Sequence, residues 1–291
     1  MPSGNFYFGA HNASHLLNLL AKHFTMRHLG IPNYITKHNQ PKDALLGRID
    51  TIRRQIELLY ATTPQVSIVI PAYNEAENIL KTLSSLADSS TIYKVEILVV
   101  NNNSTDETEN LIRQSGAICV IENTQGITPA RNTGLRHAKG TYILNADADT
   151  IYPPDWIDSM IKPLYSGDTA LVYGSFSFLP THDSRLFFFA YEYLSDLSKW
   201  VNKNFREEAV NVYGFNSAFR RSEGLQVDGF NHPPGTNEDG WLGLKLRNRF
   251  NKKLYHVSSS NATVWTTDRR LQIDGGLVKA TMLRLKKHLR L

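Results

Sequence analysis

The spacing of apolar residues changes character near residue 65. Upstream, Leu45, Leu46, Ile49, Ile52, Ile56 and Leu59 recur at helical intervals and mark an amphipathic helix ending near Thr62-Thr63-Pro64. Downstream, short apolar runs at 66–70, 95–100, 117–121, 141–145 and 170–173 read as strands. The stretches between them, 76–87, 105–114, 128–138 and 155–164, read as helices, and Ser104 with Glu107 has the spacing of a capping box for the second. This alternation predicts an α/β fold, a mostly parallel central sheet with helices on both faces. Ligands on such sheets bind outside the carboxyl ends of the strands. After Gly174 the alternation stops. Leu186 to Val201, rich in Phe, Tyr and Leu, reads as a helix whose aromatic surface is mainly core packing, a smaller share being free to face an apolar acceptor or a membrane.

Three parts follow: an N-terminal helical extension at 1–62, the alternating α/β region at 63–270, and a C-terminal tail at 271–291. In the extension, Asn5 to Asn39 shows no clear period, and the spacing of His11, His15, His23, His28 and His38 matches no closed zinc pattern, so they read as surface histidines. Within the tail, Val278, Met282, Leu285 and Leu289 recur at helical spacing among Lys279, Arg284, Lys286, Lys287, His288 and Arg290. That suits a basic amphipathic helix on an anionic membrane surface through 277–291, or equally a terminal helix docked on the protein's own core. A net charge of +5 does not by itself argue for nucleic acid, and no nucleic-acid partner is expected. Cys119 is the single cysteine, so no intrachain disulfide forms and a reducing compartment is suited. No apolar run spans a bilayer and no secretory signal is evident at the N-terminus. The expectation is a cytoplasmic protein, peripheral on the inner face of the membrane if the tail binds there.

Candidate chemistry lies in three acid-bearing clusters. Pro71-Ala72-Tyr73-Asn74-Glu75 follows the first strand, Asp147-Ala148-Asp149 follows another, and Glu238-Asp239 opens an apolar-periodic stretch that reads as a helix. In extended backbone, Asp147 and Asp149 share one face. Two hard oxygen ligands leave most of a cation's shell to phosphate and water, which suits magnesium or manganese. Taken alone, the triplet is also an ordinary solvated turn before Pro153-Pro154, and Glu238-Asp239 an ordinary acidic pair at a helix start.

The order of motifs is more specific than any one of them. Val69-Ile70-Pro71-Ala72-Tyr73-Asn74-Glu75, Ser104-Thr105-Asp106-Glu107-Thr108, Pro129-Ala130-Arg131-Asn132-Thr133-Gly134 and Ala138-Lys139-Gly140-Thr141-Tyr142-Ile143 lead into Asp147-Ala148-Asp149. Gly214-Phe215-Asn216-Ser217-Ala218-Phe219-Arg220-Arg221 and Asp228-Gly229-Phe230 then precede Glu238-Asp239-Gly240-Trp241-Leu242. From about Val66 to Arg270 the chain resembles the family 2 glycosyltransferases, inverting enzymes with the A-type nucleotide-sugar-binding fold. The resemblance implies that 63–270 is a catalytic domain. It carries over Pro71, Ala72, Tyr73, Glu75 and Arg131 as contacts to a nucleotide-sugar donor, Asp147 and Asp149 as ribose-diphosphate and metal carboxylates with Asp149 nearest a Mg2+ or Mn2+ ion, and Asp239 as catalytic base. Glu238 is the rival for that last role, and adjacent residues at a helix start are expected to point apart. Gly126 and Gly134 read as backbone-permissive positions.

Two departures stand out. Family members usually carry an Asp after the second strand, where this chain has Asn101, which can accept a base N–H only without charge. Beyond Trp265 the Gln-x-x-Arg-Trp block of processive synthases is not evident, so transfer of a single sugar to a glycan or lipid-linked acceptor is expected, in cell-surface polysaccharide or glycolipid synthesis. Asp268, Arg269 and Arg270 lie where relatives often carry diphosphate-binding or metal-completing groups, while His256 is a possible ligand or a plain surface histidine. The other readings are an inactive nucleotide-sugar-binding regulator on the same fold and, lower, a sugar nucleotidyltransferase, which would show a Gly-rich basic loop after the first strand.

Overall fold

The computed structural model describes residues 25, 27–180 and 184–269. His11, His15, His23, Arg270 and the tail at 271–291 lie outside them. The strands are β1 (Val66–Ala72), β2 (Val95–Asn101), β3 (Ile118–Ile121), β4 (Tyr142–Asn145), β5 (Thr150–Ile151), β6 (Thr169–Gly174), β7 (Phe176–Leu179), β8 (Ser217–Arg220), β9 (Lys253–Val257) and β10 (Val264–Thr267). Seven form the main sheet in the order β3-β2-β1-β4-β8-β6-β9, and β5-β10-β7 form a small second sheet. In the main sheet only β8 runs antiparallel to its neighbours, so the sheet is mostly parallel, as the alternation predicts. Val66, Ile68, Val69 and Ile70 of β1 are all buried, which is why this strand reads as an unbroken apolar run. The region after Gly174, which shows no alternation in sequence, contributes β7 to β10, because strands this short leave too few residues for a period to emerge.

The helices are α1 (Asn33–His38), α2 (Lys42–Leu46), α3 (Ile49–Leu59), α4 (Ile79–Ala87), α5 (Thr108–Gln114), α6 (Ile127–His137), α7 (Trp156–Ile161), α8 (Arg185–Phe205), α9 (Arg221–Gln226) and α10 (Glu238–Phe250). The single helix expected over 45–59 is broken at Gly47 into α2 and α3. Their Leu45, Ile52 and Ile56 join the core cluster of Ile68, Ile70 and Leu83, each contributing roughly 1.5–3 kcal/mol by leaving water. His38 is buried rather than on the surface, with Nδ1 3.0 Å from Ser84 Oγ. Helix α6 packs tightly on β1, since a Cβ on Gly134 would collide with Val69.

Helix α8 departs in part from the expected packing. Its buried residues are Phe188, Glu192, Asp196, Lys199 and Asn202, whereas Leu186, Phe187, Leu194 and Leu197 face outward. Aromatic content had pointed to core packing, yet partners supplied from elsewhere decide the inward face. Arg27 donates from Nε to Asp196 Oδ2 at 2.9 Å, Lys199 reaches Asp196 Oδ1 at 3.0 Å, and Arg185 makes two bonds to Glu192 at 2.8 and 2.9 Å. Burial alone would raise the Asp196 pKa, but Lys199 and Arg27 outweigh it and hold the carboxyl below its usual range. Burial also pushes the Lys199 ammonium down to about 8. Asp196→Ala would leave Lys199 buried without its carboxylate partner and Arg27 with only Glu192, 3.8 Å away. It is expected to cost about 3–5 kcal/mol, read as a lowered urea midpoint at pH 7, with Leu194→Ala on the outer face nearly neutral.

Candidate active site

The carboxyl ends of β1, β2 and β4 lie side by side, with Ala72 opposite Asn101 and Val69 opposite Asn145. Antiparallel β8 brings its amino end to the same edge, since Ser217 pairs with Asn145. The loops after β1 and β4 and the segment before β8 therefore open onto one crevice. The small sheet adds a fourth contributor, because β10 pairs with β5 immediately after Asp149.

Arg131, on α6, stands at the centre and is 2% exposed. Its Nη2 donates to Asp147 Oδ1 at 3.0 Å and its Nη1 to the Gly214 carbonyl at 3.0 Å. Its Nε faces Asp239 Oδ1 at 3.5 Å and Glu238 Oε1 at 3.8 Å. The acid pair does open a helix: Asn237 caps α10 by accepting from the Gly240 N–H at 2.8 Å. Both carboxylates nevertheless turn toward Arg131, contrary to the expectation that adjacent residues would diverge. Asp239 Oδ1 and Arg131 Nε are each buried without a hydrogen-bond partner.

Burial pushes the Asp239 carboxyl up to about 7; Arg131 draws it down, and the neighbouring Glu238 and Asp147 push it further up. Asp149 is raised to about 6 by burial, then by Asp147 and Glu75, against the opposing charge of Arg269. The Asp-Ala-Asp stretch is not extended. Ala148 and Asp149 form a turn, so Asp147 engages Arg131 while Asp149 Oδ2 accepts from Thr267 Oγ1 at 3.1 Å and Arg269 Nη2 at 3.3 Å.

The loop after β1 is held by the segment after β2. Asn74, at φ 52°, gives its N–H to Ser104 Oγ at 3.0 Å, Glu75 N–H goes to Thr108 Oγ1 at 2.8 Å, and Ala76 N–H to Asp106 Oδ2 at 3.1 Å. These bonds replace the expected capping box. Helix α5 begins only at Thr108, and Ser104 serves the neighbouring loop instead. Pro71 and Ala72 close β1, with Ala72 buried, and Tyr73 is 51% exposed at the crevice rim. Asn101 is committed on both sides: Oδ1 accepts from Ser104 N–H at 3.2 Å and Nδ2 donates to Glu109 Oε2 at 3.1 Å. One lone pair of Oδ1 is left for a ligand. His256 lies on β9, where its Nε2 meets Ser175 Oγ at 3.0 Å and its ring stacks on Tyr173; burial drives its pKa down to about 3, so it is neutral. Its partners belong to the α8 network rather than to the acidic crevice.

Several positioning residues escape the sequence reading. Tyr152 is buried, accepts the Asp147 backbone N–H at 2.9 Å and donates to the Phe215 carbonyl at 3.0 Å, locking the acidic loop to the segment before β8. Asn216 accepts from Trp156 Nε1 at 2.8 Å and donates to the Ser175 and Ala262 carbonyls at 2.7 and 2.8 Å. A Cβ on Gly214 would strike both Arg131 and Asp239, so the approach requires glycine there. Only the sequence block Gly214-Phe215-Asn216 hinted at this, and it did not say what the block holds.

Among the described residues no three His, Cys, Asp or Glu side chains are grouped to hold a metal unaided. Burial first, and then the charges of Asp147 and Glu75, raise Asp149. Hard oxygens in excess of their local positive charge fit a divalent cation whose remaining ligands are phosphate and water. The donor set therefore fits such an ion.

Comparison with known proteins agrees with this architecture. The model of glycosyl transferase family 2 matches residues 67–222, more than half of the chain. Glycosyltransferase AglE of Haloferax volcanii is 35% identical over 127 residues, 40% of this chain and 41% of AglE. An Escherichia coli protein, the UDP-Glc:alpha-D-GlcNAc-diphosphoundecaprenol beta-1,3-glucosyltransferase WfaP, is 37% identical over 117 residues, 38% of this chain and 45% of WfaP. The chain thus spans less than half the length of these two relatives. In fold it is similar to the mannosyltransferase PcManGT from Pyrobaculum calidifontis, solved with GDP-Man and Mn2+, at a TM-score of 0.52 and 21% identity over 80% of this chain and 67% of that one. It is also similar to S. aureus TarS 1–349 in complex with UDP-GlcNAc, at a TM-score of 0.53 and 16% identity over 70% of this chain and 58% of that one. The matched blocks, the mostly parallel sheet and the acid-lined crevice at its carboxyl edge have one explanation in common: the chain belongs to glycosyl transferase family 2, a family of enzymes.

Proposed function

We propose that this protein is a metal-dependent, inverting glycosyltransferase that moves one sugar from a nucleoside-diphosphate donor to a hydroxyl of a glycan or lipid-linked acceptor, in the building of a cell-surface polysaccharide or glycolipid. The observation that carries this reading is Arg131 joining Asp147 to Asp239 in one crevice. Support for the acceptor class comes from WfaP, whose name states a diphosphoundecaprenol-linked acceptor.

Asp149 and Asp147 would hold the divalent cation, which when bound supplies positive charge to the departing diphosphate. Pro71, Ala72, Tyr73, Glu75 and Asn101 line the donor side of the crevice. Arg131 orients Asp147 and holds Asp239 in place without donating a hydrogen bond to its Oδ1, leaving that oxygen free for a proton. In the transfer, Asp239 takes the proton of the acceptor hydroxyl while that oxygen bonds the anomeric carbon. The bond from that carbon to the diphosphate breaks, and its electron pair leaves with the nucleoside diphosphate. A single displacement inverts the anomeric configuration, which NMR of the product reads directly.

Asp239→Asn is expected to lower kcat by about 10²–10⁴ while donor binding persists, and Asp149→Ala to abolish cation-dependent turnover. Full turnover in both variants would overturn the site assignment. Since the base works ionised, kcat/KM should rise with pH through about 7 and then level off.

The same carboxyl has a second, activity-independent readout. Its folded pKa, about 7, lies above the unfolded value, so the folded state binds the extra proton. Asp239 therefore favours folding most at low pH, and that contribution is lost as pH rises from about 4 to about 7. Asp149 acts in the same direction up to about 6. Asp239→Asn should flatten the pH dependence of the urea midpoint over this window; an unchanged slope would refute the assigned shift.

A further inference from the structure

The crevice contains a second arginine whose position differs in kind from that of Arg131. Arg269 follows β10, and its guanidinium spans two carboxylates from different strand ends. Nη1 reaches Glu75 Oε2 at 3.3 Å, Nη2 bonds Glu75 Oε1, and Nη2 also lies 3.3 Å from Asp149 Oδ2. Glu75 and Asp149 keep only 11% and 14% side-chain exposure, whereas Arg269 is 46% exposed. The backbone beneath it is anchored: Trp265 and Asp268 are buried, and β10 is paired on both edges. Arg269 is thus a half-exposed side chain on a fixed base, with its charge laid between Glu75 and the carboxylate assigned to the cation.

We propose that Arg269 is the resident counter-cation of the donor site, occupying the place between Glu75 and Asp149 in the free enzyme and yielding it when the divalent cation arrives. This rests on the reading of Asp149 as a cation ligand and goes beyond it by assigning a competitor. Magnitudes favour exchange. A half-exposed ion pair is weak because water screens it, so lifting Arg269 away costs little. Arg131 is held in the interior by two hydrogen bonds and three carboxylates, and taking it away from them would leave buried charges uncompensated, which is far more costly. The crevice therefore has one permanent guanidinium and one displaceable one. Once displaced, the Arg269 fork is free to accept phosphate oxygens, the partner its planar donors fit best.

The test is Mn2+ binding to the full chain without nucleotide, followed by the electron paramagnetic resonance of free Mn2+, so no turnover is needed. Arg269→Gln should bind Mn2+ about fivefold tighter than wild type or better, and Asp149→Asn in that background should remove the gain. Arg269→Lys, which keeps the charge but loses the two-carboxylate fork, should fall between. Equal affinity in wild type and Arg269→Gln, with Asp149→Asn still abolishing binding, overturns the counter-cation role and leaves the proposed function standing. Arg269→Lys matching wild type while Arg269→Gln is tighter reduces the effect to net charge and also overturns it. Mn2+ affinity indifferent to Asp149→Asn in every background overturns both this role and the cation reading beneath it.

Discussion

Arg131 buries a guanidinium against an aspartate from the loop after β4, a carbonyl from the segment before β8 and two acids from the first turn of α10. Desolvating such a charge costs several kcal/mol, and the cost is offset only when the opposing groups are all in place. Segments far apart in sequence are thereby made to arrive together. Asp147 and Asp239 are close because neither the arginine nor the acids are tolerable in the interior alone. The same arrangement leaves Asp239 poised: burial and the other acids push its pKa up, and the arginine limits the rise. An ionisable group held near neutrality is what a proton-accepting role at cellular pH requires.

Charge compensation recurs along α8, with a different purpose. There Arg27, Arg185 and Lys199 satisfy Asp196 and Glu192, and the network fixes the helix on the sheet with Leu186, Phe187, Leu194 and Leu197 outward. Its members bond one another and backbone groups, and Asp196 is held below its usual range rather than raised. The two networks differ in completeness. At α8 every carboxylate meets a cation directly, whereas in the crevice an oxygen of Asp239 stays without a partner. Arg269 adds a half-exposed charge to the second.

Much of the fold was legible because parallel strands buried on both faces have to be nearly continuous apolar runs, and β1, β2, β4 and β6 have that form while the edge strand β3 is apolar though part-exposed. Acids placed directly after such runs fall at the carboxyl edge by topology, and acids before an apolar-periodic stretch fall at a helix start. Glu75, Asp147, Asp149 and Asp239 could therefore be named from order and spacing. Reading Leu186 to Val201 as mainly core packing failed in part, since Phe188 is buried but Leu186, Phe187, Leu194 and Leu197 are exposed, and the reason is physical. Hydrophobic content decides which face is buried only when no ion partner competes for the interior, and Arg27 comes from a segment more than 150 residues away.

The chain by itself determined five strands of the main sheet, the helices between them and which acids follow which elements, since each depends on residues within one or two turns or strands of one another. Tertiary structure alone decided that Tyr152 ties the acidic loop to Phe215, that Asn101 is spent on Ser104 and Glu109, and that Arg269 spans Glu75 and Asp149. The Tyr152–Phe215 and Arg269 contacts join segments that follow or precede different strands, and the Asn101 contacts depend on how the loop after β2 closes on itself. Their distances follow from sheet order and loop register, neither of which leaves a local periodic trace in the order of residues.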